Sequence, residues 1–518
     1  MLIDSPIFQR LRNIHQTGLA HYVYPSAQHT RFEHSLGVTT IAARIFDAVN
    51  QRHTADLQMI AKTISATDDP IDTISRLRQE LRLAALLHDT GHSLYSHASE
   101  RVYSSLGLMR KAVEELSTFV GREKGAGEVI SFCIARTEAV AGLLSSAEEK
   151  ILKKDVVGEF SGEIDLDNVA LLIVGRSKHP FLQFMGDIIS SGFDADKLDY
   201  LLRDATTAGL PLRYDLERYL YTVYLEKSQL ADDEGHLERL YKSANVEVAK
   251  HRAVSGQVRF PYYDTYRLKL PKQAMSTIEQ IVICKLMLFS YIYHHQKVRA
   301  SEGLLANLLE MKKAEWVHDG WSDERILCEF LQMTDGALGL PGFTDSKTGE
   351  IANYSYRIIN RLVPREIYRI SASMSHAEGA LIKNFFSDLE DRSKRGSVVR
   401  ALETSIGEEL IRRDETLGKS HEEALQTTGT WVDVPKVPKF ENMDDVIGRT
   451  EGATGVAISD VFPIAQWTQA YEAHRFYVRI YAFSEFSELV DAAARVGMER
   501  VIGVKGEDFY RSCRRIRH

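Results

Sequence analysis

Cysteine is scarce: Cys133, Cys284, Cys328 and Cys513 are the only four in 518 residues. They are too scattered for a disulfide framework or a cysteine zinc site. A reducing, cytoplasmic setting is the expectation. No long basic block stands out and the net charge is −8, so nucleic acid is not expected as the main partner. No uninterrupted apolar run of membrane-spanning length is evident, and no membrane partner is expected. Met1-Leu2-Ile3-Asp4-Ser5-Pro6 does not read as a signal peptide. Repeats and low-complexity segments are also missing. What remains is 44% hydrophobic and 26% charged, an ordinary globular composition with room for two or three domains.

The patterning predicts a mainly α chain. Apolar residues recur at helical spacing through Ile7–Ile14 and Ser35–Val49, and the stretch from Pro6 to about Leu225 reads as mostly helix. Asp56–Asp72, polar and carrying Asp68-Asp69-Pro70, reads as a surface insertion. Asp187–Arg203 is helix-rich, and Gln273–Leu309 reads as one or two long helices. Thr334–Asn353, rich in Gly, Asp and Thr, reads as a loop. Ser387–Lys419 reads as exposed charged helix, and Thr427–Asn442 as a connection. The first strand signal is Arg475–Tyr481, which alternates. Helix follows over Glu485–Arg495, giving a small C-terminal α+β unit.

One segment carries chemistry. The apolar run Leu83-Ala84-Ala85-Leu86-Leu87 ends in His88-Asp89, and His92, His97 and Glu100 follow within about three helical turns. Burying that many imidazoles and carboxylates costs several kcal/mol unless they are paired or hold a metal. His34, in Arg31-Phe32-Glu33-His34, and Asp196, in Asp194-Ala195-Asp196-Lys197, complete a set suited to one divalent cation. Gly91 is expected to allow the sharp turn that lets an adjacent His-Asp pair serve one ion. His318-Asp319 is an internal control: the same dipeptide, among polar residues, with no comparable cluster around it.

These residues resemble the HD superfamily of metal-dependent phosphohydrolases, whose ligand order is His, His-Asp, Asp. The similarity is closer to the deoxynucleoside triphosphate (dNTP) triphosphohydrolase branch. It is carried by Asp4–Gly37, Leu81–Glu100, Asp194–Asp204, Lys285–Arg299 and Arg361–Arg369, and no SAM domain is present. The resemblance implies an HD-type helical core over 1–310, accessory helices over 311–430 and the C-terminal unit over 431–518. It implies one divalent metal (Mn, Fe, Mg or Zn) on His34, His88, Asp89 and Asp196. It places Arg31 on the triphosphate, Lys197 on a phosphate oxygen, Tyr200 against substrate and Asp204 on the sugar 3′-hydroxyl. Lys285 would meet the γ-phosphate, and Tyr293 and His294 would face the deoxyribose. His97, oriented by Glu100, would protonate the departing 5′-oxygen. His92 would bond the α-phosphate. The implied products are a deoxynucleoside and inorganic triphosphate.

The resemblance further implies a nucleotide activator bound between subunits of a homo-oligomer, dimer or tetramer. Asp4, Gln9 and Arg12 would lie on one side, with Arg365, Ile367 and Arg369 on the other. Two departures are visible. Arg122, in Gly121-Arg122-Glu123-Lys124-Gly125, stands where the family has a catalytic histidine and cannot act as a base. Glu100 replaces an aspartate. Another HD phosphohydrolase or phosphodiesterase on nucleotides or nucleic acid, or a non-catalytic nucleotide sensor, are the alternative readings. Depletion of dNTPs fits pool control and antiviral defence equally.

Overall fold

The computed structural model describes residues 1–65, 67–152, 163–231, 236–243, 251–255, 258–344, 349–371, 379–435, 466, 467, 471, 477–505, 510 and 513. The chain is mainly α, and two three-stranded sheets lie among the described residues.

The helices that carry the expected ligands form for local reasons. Arg31–Arg52 opens on a capping box: Glu33 Oε2 accepts the Thr30 backbone N–H at 2.6 Å, a device worth about 1 kcal/mol. Val38, Ile41, Ala42, Ile45, Phe46 and Val49 give that helix a buried stripe. Pro70–Leu87 starts with Asp69 as N-cap and Pro70 in the first turn, and ends at His88. Ala195–Thr207 is capped by Asp194, which accepts the Lys197 N–H at 2.8 Å. Arg31–Arg52 packs on both other helices. The approach to Ala195–Thr207 needs Gly37, because a Cβ there would lie 1.9 Å from Asp199 Oδ1.

Two stretches differ from their sequence reading. Asp56–Asp72 is not an insertion: Thr54–Ile64 is a helix that buries Leu57, Ile60 and Ala61, and the next helix begins at Pro70. The polar residues lie between three apolar contacts at helical spacing. Thr334–Asn353 is not simply a loop either. It contains the 3₁₀ turn Asp335–Gly339, the short helix Pro341–Thr344 and the start of Gly349–Ile359, and it buries Ala337, Leu338 and Ile351.

β1 (Tyr224–Ala231), β2 (His251–Ser255) and β3 (Val258–Lys269) form an antiparallel sheet in the order β1-β3-β2. β4 (Arg365–Ser371), β5 (Trp431–Asp433) and β6 (Tyr477–Ala482) form a second, in the order β4-β6-β5. Of these only β6 was expected; Arg475, Phe476 and residues 436–442 of the expected connection lie outside the described residues. Around β4 and β6 gathers a second apolar core, with Leu402, Ile406 and Leu410 from Arg392–Arg413 and Val490, Ala493 and Ala494 from Ser487–Val501. The Arg392–Arg413 helix is therefore not a wholly exposed one, since every fourth residue along one stripe is buried.

The second sheet is fastened to the turn and helix that follow Met275–Leu288. Met275–Leu288 passes through a π-turn, Phe289–Tyr293, into Gln296–His318. Arg479 of β6 donates to the His294 carbonyl at 3.0 Å, and the Tyr481 hydroxyl donates to the Gln296 carbonyl at 2.9 Å. Arg299 pairs with Asp433 of β5 at 2.5 Å. Lys272–Tyr293 is by length and composition apolar enough to cross a membrane (22 residues, mean hydropathy 1.4 in its best window), though Glu279 and Lys285 interrupt it and half of that window is buried in the fold. The bent pair Ala126–Ala135 and Glu138–Ser146 passes the same test only if taken as one span.

Candidate metal and phosphate site

His34, His88 and Asp89 come together: one potential ligand atom from each lies within 4.8 Å of the others. Asp196 Oδ1 is 3.1 Å from His34 Nε2 and 4.0 Å from His88 Nε2. The second face of each imidazole is already fixed. His34 Nδ1 meets Asp199 Oδ2 at 2.8 Å, and His88 Nδ1 meets the Ala85 carbonyl at 2.7 Å. Nδ1 must carry the proton to donate to the Ala85 carbonyl, so the His88 Nε2 lone pair faces the cluster. Both Nε2 atoms are buried without a well-aligned hydrogen bond.

The electrostatics ask for positive charge at that point. Burial pulls the His34 pKa down, yet Asp196, Asp199 and Asp89 outweigh it and lift it to about 10. Asp89 and Asp196 are held below the ordinary carboxylate range, although burial pushes both up: Arg31 and the histidines overcome it for Asp89, His34 and His88 for Asp196. Two orphaned imidazole nitrogens facing two ionised carboxylates are a donor set that fits one divalent cation. His318, by contrast, has an 89% exposed side chain at a helix end.

The turn between His88 and His97 has its own construction. Gly91 is not left-handed, which corrects the expected reason for it. A Cβ there would sit 2.1 Å from the Gly127 carbonyl oxygen, so glycine is needed for close approach to Ala126–Ala135. Gly127 N–H donates to Glu100 Oε1 at 3.0 Å, and Glu100 Oε2 meets His97 Nδ1 at 2.9 Å. Burial pushes Glu100 up, but the hydrogen bond from His97, the neighbouring imidazoles and the Gly127 N–H hold its carboxyl well below its usual range. His97 is 78% exposed at its side chain, with its ring 5.1 Å from that of His92. His92 is buried, and burial with Arg31 nearby lowers it to about 3, so it is neutral. His92, His97 and Glu100 are a second group able to converge on an ion.

Other expected residues fall in different places. Arg31 was expected on the triphosphate. It is 2% exposed and its guanidinium is engaged with Asp89 and, at 2.8 Å, with Ser96 Oγ. The reason is charge: a buried carboxylate needs a buried counter-ion. Lys197 Nζ meets Asp194 at 2.5 Å and the Ser191 carbonyl at 2.9 Å. Arg122 reaches toward the Ser190 carbonyl, 3.5 Å away, on the same loop. Asp204 accepts from the Tyr293 hydroxyl and pairs with His29 Nε2 at 2.7 Å. Tyr200 is half-buried on the same helix, and Lys285 is buried on Met275–Leu288, which packs against it. His294 does not join Asp204: its Nδ1 meets the Tyr471 hydroxyl at 3.0 Å.

Among the expected effector residues, Asp4 is 82% exposed at its side chain and Gln9 Oε1 accepts from Arg12 at 2.8 Å. Arg12 lies 3.5 Å over the Phe32 ring. Arg365 is exposed, Ile367 is buried, and Arg369 holds Glu366 and Gln296.

His29, Asp199 and Asp335 were missed by the sequence reading. Asp199 and His29 sit inside quoted blocks, so their proximity to the ligands was the available signal. Asp335 carried none. Its carboxylate meets His15 Nδ1 at 2.5 Å and raises that imidazole's pKa; burial opposes the shift. A raised histidine stabilises the fold fully below its ordinary value of 6.5 and loses that contribution as pH rises through the shifted value. The urea midpoint should therefore fall over that window, and His15→Gln should flatten the fall. Equal slopes in both chains would remove His15 as the source.

A family model described as "HD domain" matches residues 31–154. An uncharacterized protein of Methanocaldococcus jannaschii, MJ1154, is 23% identical over 93% of this chain and 75% of its own length. Deoxynucleoside triphosphate triphosphohydrolase SAMHD1 of Xenopus laevis is 29% identical over 42% of this chain and 33% of its own length. This chain thus spans about a third of the vertebrate relatives it matches. A solved structure of a hypothetical protein from Aquifex aeolicus superposes with TM-score 0.53 at 20% identity, covering 95% of this chain and 94% of that one. A phosphohydrolase from Bacteroides thetaiotaomicron gives TM-score 0.53 at 17% identity, covering 93% and 94%. The match falls on His34, His88 and Asp89, the residues that converge, so residues 31–154 are an HD domain, in a chain similar over that region to the SAMHD1 triphosphohydrolases.

Proposed function

We propose that this HD-domain protein is a metal-dependent dNTP triphosphohydrolase, releasing a deoxynucleoside and inorganic triphosphate. One observation carries the reading. The helix Ala195–Thr207 gives Asp196 to the histidine–carboxylate cluster and, eight residues on, Asp204 to Tyr293 and His29. Eight residues span about 12 Å of helix, a spacing on the scale of a nucleotide. Phosphate chemistry at one end and sugar recognition at the other is the simplest use of that helix.

His34, His88, Asp89 and Asp196 would hold the ion, which supplies Lewis acidity and acidifies the water it binds. Arg31 keeps Asp89 ionised and aimed. His97, with Nδ1 tied to Glu100, is left with Nε2 to give a proton to the departing 5′-oxygen. Neutral His92, Lys197 and Lys285 are the groups for phosphoryl oxygens, Arg122 an added cation beside them, and Tyr200 lies along the same helix. Asp204, already accepting from two partners, has lone pairs left for a 3′-hydroxyl. Tyr293 stands beside it where a 2′-hydroxyl would crowd, with His294 behind.

The effector site, with Asp4, Gln9 and Arg12 facing Arg365, Ile367 and Arg369 of a second copy, belongs to the same proposal, as does a homo-oligomer. The supporting observation is the solvent-facing Asp4 and the Gln9–Arg12 pair on one surface. Purified chain is incubated with each dNTP, each NTP, and Mn, Mg or Fe, with and without added nucleotides, while sedimentation follows the assembly state. Deoxynucleoside plus triphosphate from dNTPs alone, and assembly raised by nucleotide, are expected. No release under any mix defeats the enzyme reading, and an unmoved sedimentation profile defeats the effector reading. Arg122 in place of a histidine favours the phosphodiesterase alternative; pyrophosphate or monophosphate as product would support it instead.

A further inference from the structure

We propose that Asp335 is a positioning residue for the metal site: a buried carboxylate from outside residues 31–154 that holds the turn before His97 in its working conformation. The proposal rests on the metal-site reading above but not on the identity of the substrate.

The turn is conformationally unfavourable. Tyr95 and Ser96 both have positive φ, 48° and 58°, and neither is glycine. Side chains rarely tolerate that region, and two in succession persist only where the surroundings impose them. The imposing group is Asp335. Oδ1 accepts the Tyr95 backbone N–H at 2.6 Å. Oδ2 accepts the His15 backbone N–H at 2.8 Å and meets His15 Nδ1 at 2.5 Å. One carboxylate thus ties the turn to the N-terminal segment. Ser93 of the same turn also donates its hydroxyl to the Phe330 carbonyl, from the helix just before Asp335.

The turn in turn sets the site. Ser96 Oγ donates to the His15 carbonyl at 2.7 Å and accepts Arg31 Nε at 2.8 Å. Arg31 pairs with Asp89. Ser96 is also the residue from which the His97–Tyr103 helix starts, so its backbone direction aims His97. Asp335 therefore reaches both the ligand carboxylate and the exposed imidazole through one strained turn, without touching either.

Asp335→Asn in the full chain tests this. The amide keeps one acceptor but presents N–H to a former donor, so one of the two tethers must break. Mn²⁺ affinity, kcat and KM are measured with the thermal midpoint as control. The expected result is Mn²⁺ affinity weakened about 10-fold and kcat at saturating Mn²⁺ lowered 10- to 100-fold, with KM within about 3-fold. A merely structural role would lower the midpoint and leave the metal affinity and kcat of the folded fraction alone; that result overturns the proposal. Should the Asn chain fail to fold, Ser96→Ala cuts the same relay downstream, and unchanged affinity and kcat there overturn it too. A wild-type chain that binds Mn²⁺ but hydrolyses no nucleotide defeats the function alone, since the affinity measurement still decides on Asp335.

Discussion

Asp196→Ala should leave a folded chain that no longer retains its divalent ion and has lost about a thousandfold or more of its rate. Asp196 is the proposed ligand from outside residues 31–154, and it reaches His34 Nε2 from a separate helix. Without it, Asp89 is the remaining carboxylate of the four, and one of its oxygens is already paired with Arg31. Two neutral imidazoles and a compensated carboxylate make a weak site. Removing Asp196 takes a carboxylate from 3.1 Å of His34 Nε2 but no buried apolar contact, and His34 keeps Asp199 at 2.8 Å, so the fold should survive. Elemental analysis after gel filtration, alongside the rate, checks this. Asp319→Ala is the matched control, because the second His-Asp copy lies at an exposed helix end. An Asp196→Ala chain that keeps stoichiometric metal and its rate would remove the four-ligand site.

His97→Ala should separate proton transfer from metal binding. The imidazole is exposed, touches Glu100 at 2.9 Å and is not among the His34, His88 and Asp89 group. We expect kcat down about 10²- to 10⁴-fold, the usual worth of a general acid, with metal content intact. A substrate with a good leaving group, such as a nitrophenyl ester, should lose far less, since its departing oxygen needs no proton. Equal losses on both substrates would assign His97 to ground-state binding. Glu100→Gln should fall between wild type and His97→Ala, because it weakens the orientation of His97 and the bond to Gly127 while leaving the imidazole in place.

The convergence of His34, His88 and Asp89 was legible in the sequence because imidazole and carboxylate cannot be buried cheaply, so an apolar run ending in His88-Asp89 stands out. Their partners were less legible. Asp199, His29 and Asp335 act through hydrogen bonds across 165, 175 and 240 residues of chain, and such contacts have no local pattern. The same distinction runs through the fold. Helices with a stripe of apolar residues were readable, as in Arg31–Arg52. Strands β1 to β5 were not: β1, β4 and β5 pair with distant segments, and the local β2–β3 hairpin was overlooked. Gly91 shows a reason misjudged rather than a residue overlooked: its missing side chain makes space for Gly127 rather than freeing φ.

The clasp of Arg479 and Tyr481 on the backbone at His294 and Gln296 has a consequence for how this protein is made. A ribosome emits His34, His88, Asp89, Asp196, Asp204 and Tyr293 long before residue 481, and domains tend to fold in that order. Yet the π-turn at Phe289–Tyr293 is fastened by β6, the last strand among the described residues. A nascent chain halted before residue 479 would already hold His34, His88, Asp89 and Asp196 while the turn at Tyr293 stayed unfastened, so the two ends of the proposed site are completed at different stages of synthesis.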